Sequence, residues 1–243
     1  MPAAITEARI KKLEKTIEQM AEANEQQSRR VQRLEDVHEI ANMMGRYVYM
    51  HEVQRDPEFA DMLYAKKTPG VSWEVAHMGL FTGRAGIKKI LDAHGPRDGK
   101  IRPGTLFIHT LTSPVIEVAG DGKTAKGVWT SPGCETLGEK GFWAWTKYGC
   151  DFVKEDGKWK IWHYHVYRIF MTPADKDYTE EYELKMEAEN KKSGKAPTMI
   201  KPDHPTTYDN PYSKKYIPKL VPAPPEPYET WDPKTSYGPP EKK

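Results

Sequence analysis

Proline is spread so unevenly along this chain that no uniform fold can hold it. Of 20 prolines, 13 fall in the 72 residues from Thr172 to Lys243, which leaves 7 in the first 171. Proline fixes φ and removes a backbone donor, so a segment this rich in it cannot continue a helix or a sheet. The same segment holds 7 of the 13 tyrosines and Trp231. Large apolar rings with polar tips suit an extended path across a surface better than disorder does. The chain therefore reads as a body with an appended tail. Its three segments are a helical extension (1–33), a body (34–172) and a tail (173–243).

Charge excludes one partner class. The net charge is +2, and the first 36 residues carry 7 basic and 7 acidic groups. Nucleic-acid binding requires a clustered basic footprint, and none is visible. Hydrophobic residues make up 37% and charged residues 30%, so no apolar run approaches the length of a membrane span. The N-terminal stretch lacks the apolar core of a secretory signal, and Cys134 and Cys150 show no zinc-like spacing. The expectation is a cytoplasmic protein with two reduced thiols.

Ile10, Leu13, Ile17, Met20, Asn24, Gln27, Val31 and Leu34 follow the 3-4 spacing of a helix seam, and its two polar positions help to set register. Residues 6 to about 35 predict a helix able to pair with another. A second helical pattern follows without a break, through Val37, Ile40, Met44 and Tyr47, and stops near Asp56-Pro57. A short helix is expected over 58–65, a strand over 71–75 and a short helix over 85–93. Strand-like runs then cover 106–118, 124–131 and 142–154. Asp156-Gly157 is a hairpin signal leading into a last strand, 159–170. A short charged helix is expected over 175–192. Helices first and antiparallel strands afterwards predict an α+β fold, with a curved antiparallel sheet wrapped on a long helix into a cone.

Four stretches carry a family resemblance: LEDVHEIANMMGRYVYMHE, FTGRAGIKKIL, IHTLTSPVIEVAGDGKTAKG and YGCDFVKEDGKWKIWHYHV. Together they resemble the SnoaL-like branch of the nuclear-transport-factor-2-like superfamily over roughly Leu34 to Thr172. The resemblance implies an open-mouthed conical barrel with a mostly apolar pocket. Relatives include polyketide cyclases, scytalone and bile-acid dehydratases, ketosteroid isomerase, and lyases that release formaldehyde from lignin-derived diaryl compounds. Most need no cofactor, so none is implied here. The fold also serves binding proteins without catalysis, so it does not settle function.

His109 stands where dehydratases of this family carry a catalytic histidine, and imidazole titrates near neutral pH. Tyr47 and Glu52 resemble the family's Tyr/Asp pair, with Glu52 longer by one methylene. A phenol can stabilise a developing oxyanion, and a carboxylate can orient the histidine or take a proton itself. Asp151 matches an acid used in some dehydratases. On the last strand Trp159, Ile161, His163, His165 and Tyr167 alternate onto one face. His163 or His165 could therefore be a second proton carrier, whereas a metal site lacks supporting ligands. Trp73, Trp129 and Tyr148 suit either a core or an aromatic ligand.

The expected function is a cofactor-independent lyase acting on a hydrophobic, aromatic, hydroxylated small molecule. It would lose water or release formaldehyde by a retro-aldol-type cleavage. An isomerase or cyclase is the first alternative, and a small-molecule-binding or assembly protein the second. A homo-oligomer is expected, with the tail reaching a neighbouring subunit.

Overall fold

The computed structural model describes residues 6–75, 77–96, 98–193 and 200–240. The outermost parts of the helical extension and of the tail therefore lie outside the described residues. Helix α1 (Glu7–Glu52) is unbroken, so it runs straight through the 33/34 boundary. Its first 29 residues are exposed, and burial begins at Asp36. Ile40, Met44, Tyr47 and Val48 then turn one stripe into the body, at the spacing that keeps one helix face inward. A 3-10 turn (Asp56–Glu58) and the one-turn helix α2 (Phe59–Met62) follow.

A single seven-stranded sheet curves around the end of α1. It is built from β1 (Ser72–Val75), β2 (Gly79–Thr82), β3 (Phe107–His109), β4 (Thr112–Val118), β5 (Thr124–Leu137), β6 (Lys140–Glu155) and β7 (Lys158–Pro173). The strand order is β2-β1-β7-β6-β5-β3, with β4 also on β5. The pairing is antiparallel except between β1 and β7, which makes the curved, unclosed sheet mixed rather than purely antiparallel. Helix α3 (Gly83–His94) closes one side. The fold is α+β and cone-like.

Three departures from the sequence reading have local causes. The run expected over 106–118 divides into β3 and β4, and β4 begins irregularly at Ser113, whose φ is +51°. Strand β5 continues past Pro132. This proline lies opposite that division, where Thr110 donates both its N–H (3.1 Å) and its hydroxyl (2.8 Å) to the Pro132 carbonyl and needs no N–H in return. In β7 a bulge opposite Asp151/Phe152 resets the alternation. Ile161 therefore pairs beside Phe152 and faces the core, while His163 pairs with Asp151 on the other side of the sheet. The single face expected for Trp159, Ile161, His163, His165 and Tyr167 is thus split.

The described tail docks on its own sheet. Leu80 and His204 form an antiparallel bridge, and Tyr212 donates its N–H to the Ile169 carbonyl (2.7 Å). Gly120 and Asp121 donate to the Tyr228 and Glu229 carbonyls at 2.9 and 3.0 Å. Helix α4 (Tyr182–Ser193) sits against the far end of β7. There Arg168 is held by Glu183, Glu187 and Asp209 at 2.6, 2.5 and 2.5 Å.

Candidate active site

The last turn of α1 supplies the first components. Tyr47 and His51 are four residues apart and so share a helix face, with their rings stacked at 5.9 Å and nearly parallel. The chain then leaves the helix and returns Asp56, at the start of the 3-10 turn, to the imidazole. His51 Nδ1 lies 2.6 Å from Asp56 Oδ1, and the Asp56 side chain is 2% exposed. An ionised carboxylate can only accept, so Nδ1 is the donor of this pair. The contact fixes the ring's orientation and leaves Nε2 as the nitrogen able to exchange a proton with a ligand.

His109, the last residue of β3, brings a second imidazole to 5.2 Å from the first, measured between ring centroids. Its Nδ1 is buried without a hydrogen-bond partner, and Nε2 lies 3.8 Å from Glu135 Oε2. Gly133 pairs directly opposite His109, and a Cβ there would meet the Ile108 carbonyl oxygen at 2.2 Å. Only glycine lets β5 pass this closely. A third ring, His94, lies 6.2 Å from His51 and 5.4 Å from Trp73. Its Nδ1 lies 2.8 Å from the Ile90 carbonyl, to which it donates, and burial holds its pKa below the ordinary histidine range.

Aromatic side chains form the wall. The Tyr164 ring lies 5.3 Å from Tyr47 and 5.2 Å from Tyr148, and stacks on Trp73 at 6.3 Å. Burial drives the phenols of Tyr47, Tyr64 and Tyr164 well above their ordinary pKa, and that of Tyr148 upward as well. All four stay protonated and can act as donors at neutral pH. The Tyr64 hydroxyl and the Trp73 indole N–H are buried without partners among the described residues, whereas the Tyr164 hydroxyl interacts with those of Tyr47 and Tyr148, and Ser131 with Tyr148. An unmet buried polar group costs about 1–3 kcal/mol. Two such groups and the His109 Nδ1 lie in the interior beside the two histidines.

The structure brings His109, Tyr47, Tyr148 and Trp73 of the expected residues to this interior. Trp129 shares the inner face but packs edge-on against Phe152 at 6.3 Å, over Gly127. Glu52 is half-buried and makes no hydrogen bond or ion pair among the described residues, and His51 holds the place expected for it beside Tyr47.

Asp151, His163 and His165 lie on the opposite, outer face and do not share the chamber with His109. Asp151 Oδ2 accepts from His163 Nδ1 (2.8 Å) and, from the tail, Ser236 Oγ (2.7 Å) and Tyr237 N–H (2.9 Å), while Oδ1 is buried without a hydrogen-bond partner among the described residues. His165 Nδ1 donates to the Tyr237 carbonyl at 3.2 Å and its Nε2 faces Glu74 at 3.4 Å. Among the described residues no group of three or more His, Cys, Asp or Glu side chains is placed to hold a metal ion.

Sequence reading missed His51–Asp56, His94 and Glu135. A signal existed for the first pair: His51 is four residues after Tyr47, one turn on, whereas Glu52 at five turns away from that face.

Residues 32–165, more than half of the chain, match the model of the SnoaL-like domain. The chain belongs to the SnoaL-like domain family. No curated protein matches it. Among solved structures, a putative scytalone dehydratase from Novosphingobium aromaticivorans DSM 12444 is 21% identical, with a TM-score of 0.48 over 60% of this chain and 91% of that one. A hexachlorocyclohexane dehydrochlorinase (LinA) Type2 is 16% identical, with a TM-score of 0.49 over 61% and 95%. The LinA-type3 enzyme from Novosphingobium barchaimii LL02 is 17% identical, with a TM-score of 0.47 over 61% and 96%. Likenesses of this size carry nothing about chemistry. Among the described residues, no helix of this SnoaL-like chain is long and apolar enough to cross a membrane.

Proposed function

We propose that this SnoaL-like protein is a cofactor-independent lyase acting on a hydrophobic, aromatic, hydroxylated small molecule. The observation that carries the reading is the His51–Asp56 pair, at 2.6 Å, with the His109 ring against that of His51 at 5.2 Å between centroids, beside a cluster of buried aromatic side chains. The His51 and His109 side chains are 12% and 14% exposed, dry enough to sharpen electrostatics.

In an elimination, His51 Nε2 takes the proton from the carbon beside the leaving group, and that C–H electron pair forms the double bond. The C–O bond breaks as His109 delivers a proton to the departing hydroxyl, and water leaves. Asp56 stabilises the imidazolium that forms on His51. Tyr47 and the neighbouring phenols donate to the oxygen that gains charge. Release of formaldehyde uses the same groups in another order. The base takes the hydroxyl proton, the C–C pair stays on the aryl-bearing carbon, and that carbon is reprotonated. The aromatic wall favours an aryl or diaryl substrate, and a lyase is preferred because His109 stands where dehydratases of the family carry a catalytic histidine.

The test is product analysis on a series of diaryl compounds bearing hydroxymethyl or benzylic hydroxyl groups, scored for loss of water and for formaldehyde. Turnover by the parent chain that falls by about 10²–10⁴ in His51→Ala and in His109→Ala supports the reading. Double-bond migration with nothing released would make the protein an isomerase. Tight binding without turnover would make it a binding protein.

A further inference from the structure

The first 29 residues of α1 lie outside the body, a rod of about 43 Å at about 1.5 Å per residue. Its seam is uncovered: Ile10, Leu13, Ile17, Met20, Val31 and Leu34 are 46% to 71% exposed. The seam ends at Leu34, just before Asp36, the first α1 residue that the body buries. Six half-exposed apolar side chains in register on one stripe constitute an interface awaiting an occupant.

Heptad assignment identifies the occupant. With Ile10 at position a, the a residues are Ile10, Ile17, Asn24 and Val31, and the d residues are Leu13, Met20, Gln27 and Leu34. Branched side chains at a, Leu at two d positions and one Asn at a are the combination that selects two parallel strands. Asn24 and Gln27 argue against an unrelated apolar helix, which would bury both without partners. An in-register second copy sets Asn24 against Asn24 and Gln27 against Gln27. The antiparallel alignment that overlaps the whole seam instead sets Gln27 against Ile17 and Asn24 against Met20.

The flanking charges agree. At the g positions stand Arg9, Thr16, Ala23 and Arg30, and at e stand Glu14, Ala21, Ser28 and Glu35. Parallel strands bring g of one helix to the next e of the other, so Arg9 meets Glu14 and Arg30 meets Glu35, each twice across the pair. Antiparallel strands bring e to e and would place Glu14 beside Glu35. The pair Glu25–Arg29, within one helix, lies at b and f, away from the seam. We propose that residues 7–35 form a parallel, in-register, two-stranded coiled coil with the same segment of a second copy of this chain. The two bodies then hang from the same end of the rod.

Full-length Leu13→Cys, exposed to mild oxidant, tests both partner and direction. In the parallel pair residue 13 faces residue 13, whereas in the antiparallel one the two lie about 27 Å apart along the axis. The parent chain, with Cys134 and Cys150 only, is the control. The expected result is a disulfide-linked dimer of L13C that the parent does not form. Its yield should fall by about tenfold or more when Ile17→Asp and Val31→Asp are added, because each buries a charge in the seam. All these positions are exposed in the single chain, so an unchanged circular-dichroism melting profile of the body shows that folding is intact. No linked dimer from L13C, or an equal yield with the seam broken, overturns the proposal.

Discussion

The two faces of the sheet surround their buried polar groups with different partners. On the outer face, Glu74, Lys126, Asp151, His163 and His165 are nearly inaccessible, and the tail supplies partners for them. Glu74 receives Thr206 Oγ1 (2.7 Å) and Thr207 N–H (2.5 Å), and Lys126 Nζ donates to the Thr235 carbonyl (2.5 Å) and lies 4.6 Å from the centre of the Trp231 ring. The fit leaves no room for more. A Cβ on Gly149 would meet Tyr237 at 2.8 Å, and one on Gly238 would meet His163 at 2.5 Å. On the inner face the Tyr64 hydroxyl, the Trp73 indole N–H and the His109 Nδ1 have no hydrogen-bond partner among the described residues, and on the outer face Asp151 Oδ1 and His165 Nε2 have none either. Pairing of buried charges marks the outer face as structure, because leaving any one of them alone would be costly. The inner face differs in setting two imidazoles, His51 and His109, side by side with the Asp56 carboxylate on the first, and the proposed chemistry rests on that arrangement.

The sharpest way to break this comparison is to remove the tail. A chain ending before residue 200 should lose the folded body altogether. It removes the hydrogen bonds of Glu74, Lys126 and Asp151 to Thr206, Thr235 and Tyr237 together with the aromatic rings packed over them, each bond to a charged group being worth about 1.5–3 kcal/mol. A body that melts unchanged by circular dichroism would show that the outer charges do not need the tail. Next in size is His51→Ala, expected to cut turnover by about 10³ while leaving the melting temperature within a few degrees. Asp151→Ala should do the reverse. Loss of its acceptor from Ser236, Tyr237 and His163 should destabilise by about 3 kcal/mol in urea unfolding, with the rate per folded molecule unchanged. Tyr47→Phe, which removes one donor from the chamber wall, should cost about tenfold in rate.

The smallest effect is one of pH and lies away from both faces. Burial alone would raise the Glu155 carboxyl, but N–H groups of Lys66, Lys67 and Thr68 at 3.0, 2.9 and 2.7 Å outweigh it and bring its pKa to about 2. A depressed carboxylate stabilises the fold above its unfolded pKa, near 4.5, and that contribution is lost as pH falls from about 5 towards 2. Glu155→Gln should flatten this part of the acid-unfolding curve, which fluorescence of the tryptophans would follow.

Much of the fold was legible because its signals are local. The inward stripe of α1 is written at helical spacing. The β6–β7 hairpin turns where Asp156-Gly157 says it should, with φ of +50° and +74° at the two residues. What was not legible depends on pairing across the sheet. Pro132 reads as a strand end until Thr110 is seen to need only its carbonyl. One bulged residue in β7 decides that His163 and His165 leave the core, and no alternation pattern records it. The site was half legible for the same reason. His109 could be named from the family pattern, but Asp56 acquires a role only once the 3-10 turn folds it back on His51.

The central claim is that chemistry resides on the inner face and structure on the outer. The most direct test compares initial rates, per folded molecule, for His109→Ala and Asp151→Ala on the same hydroxylated diaryl substrate. The prediction is a loss of about 10² or more for His109→Ala and an unchanged rate for Asp151→Ala. The opposite ranking, with Asp151→Ala inactive and His109→Ala at the parent rate, would place the chemistry under the tail and contradict it.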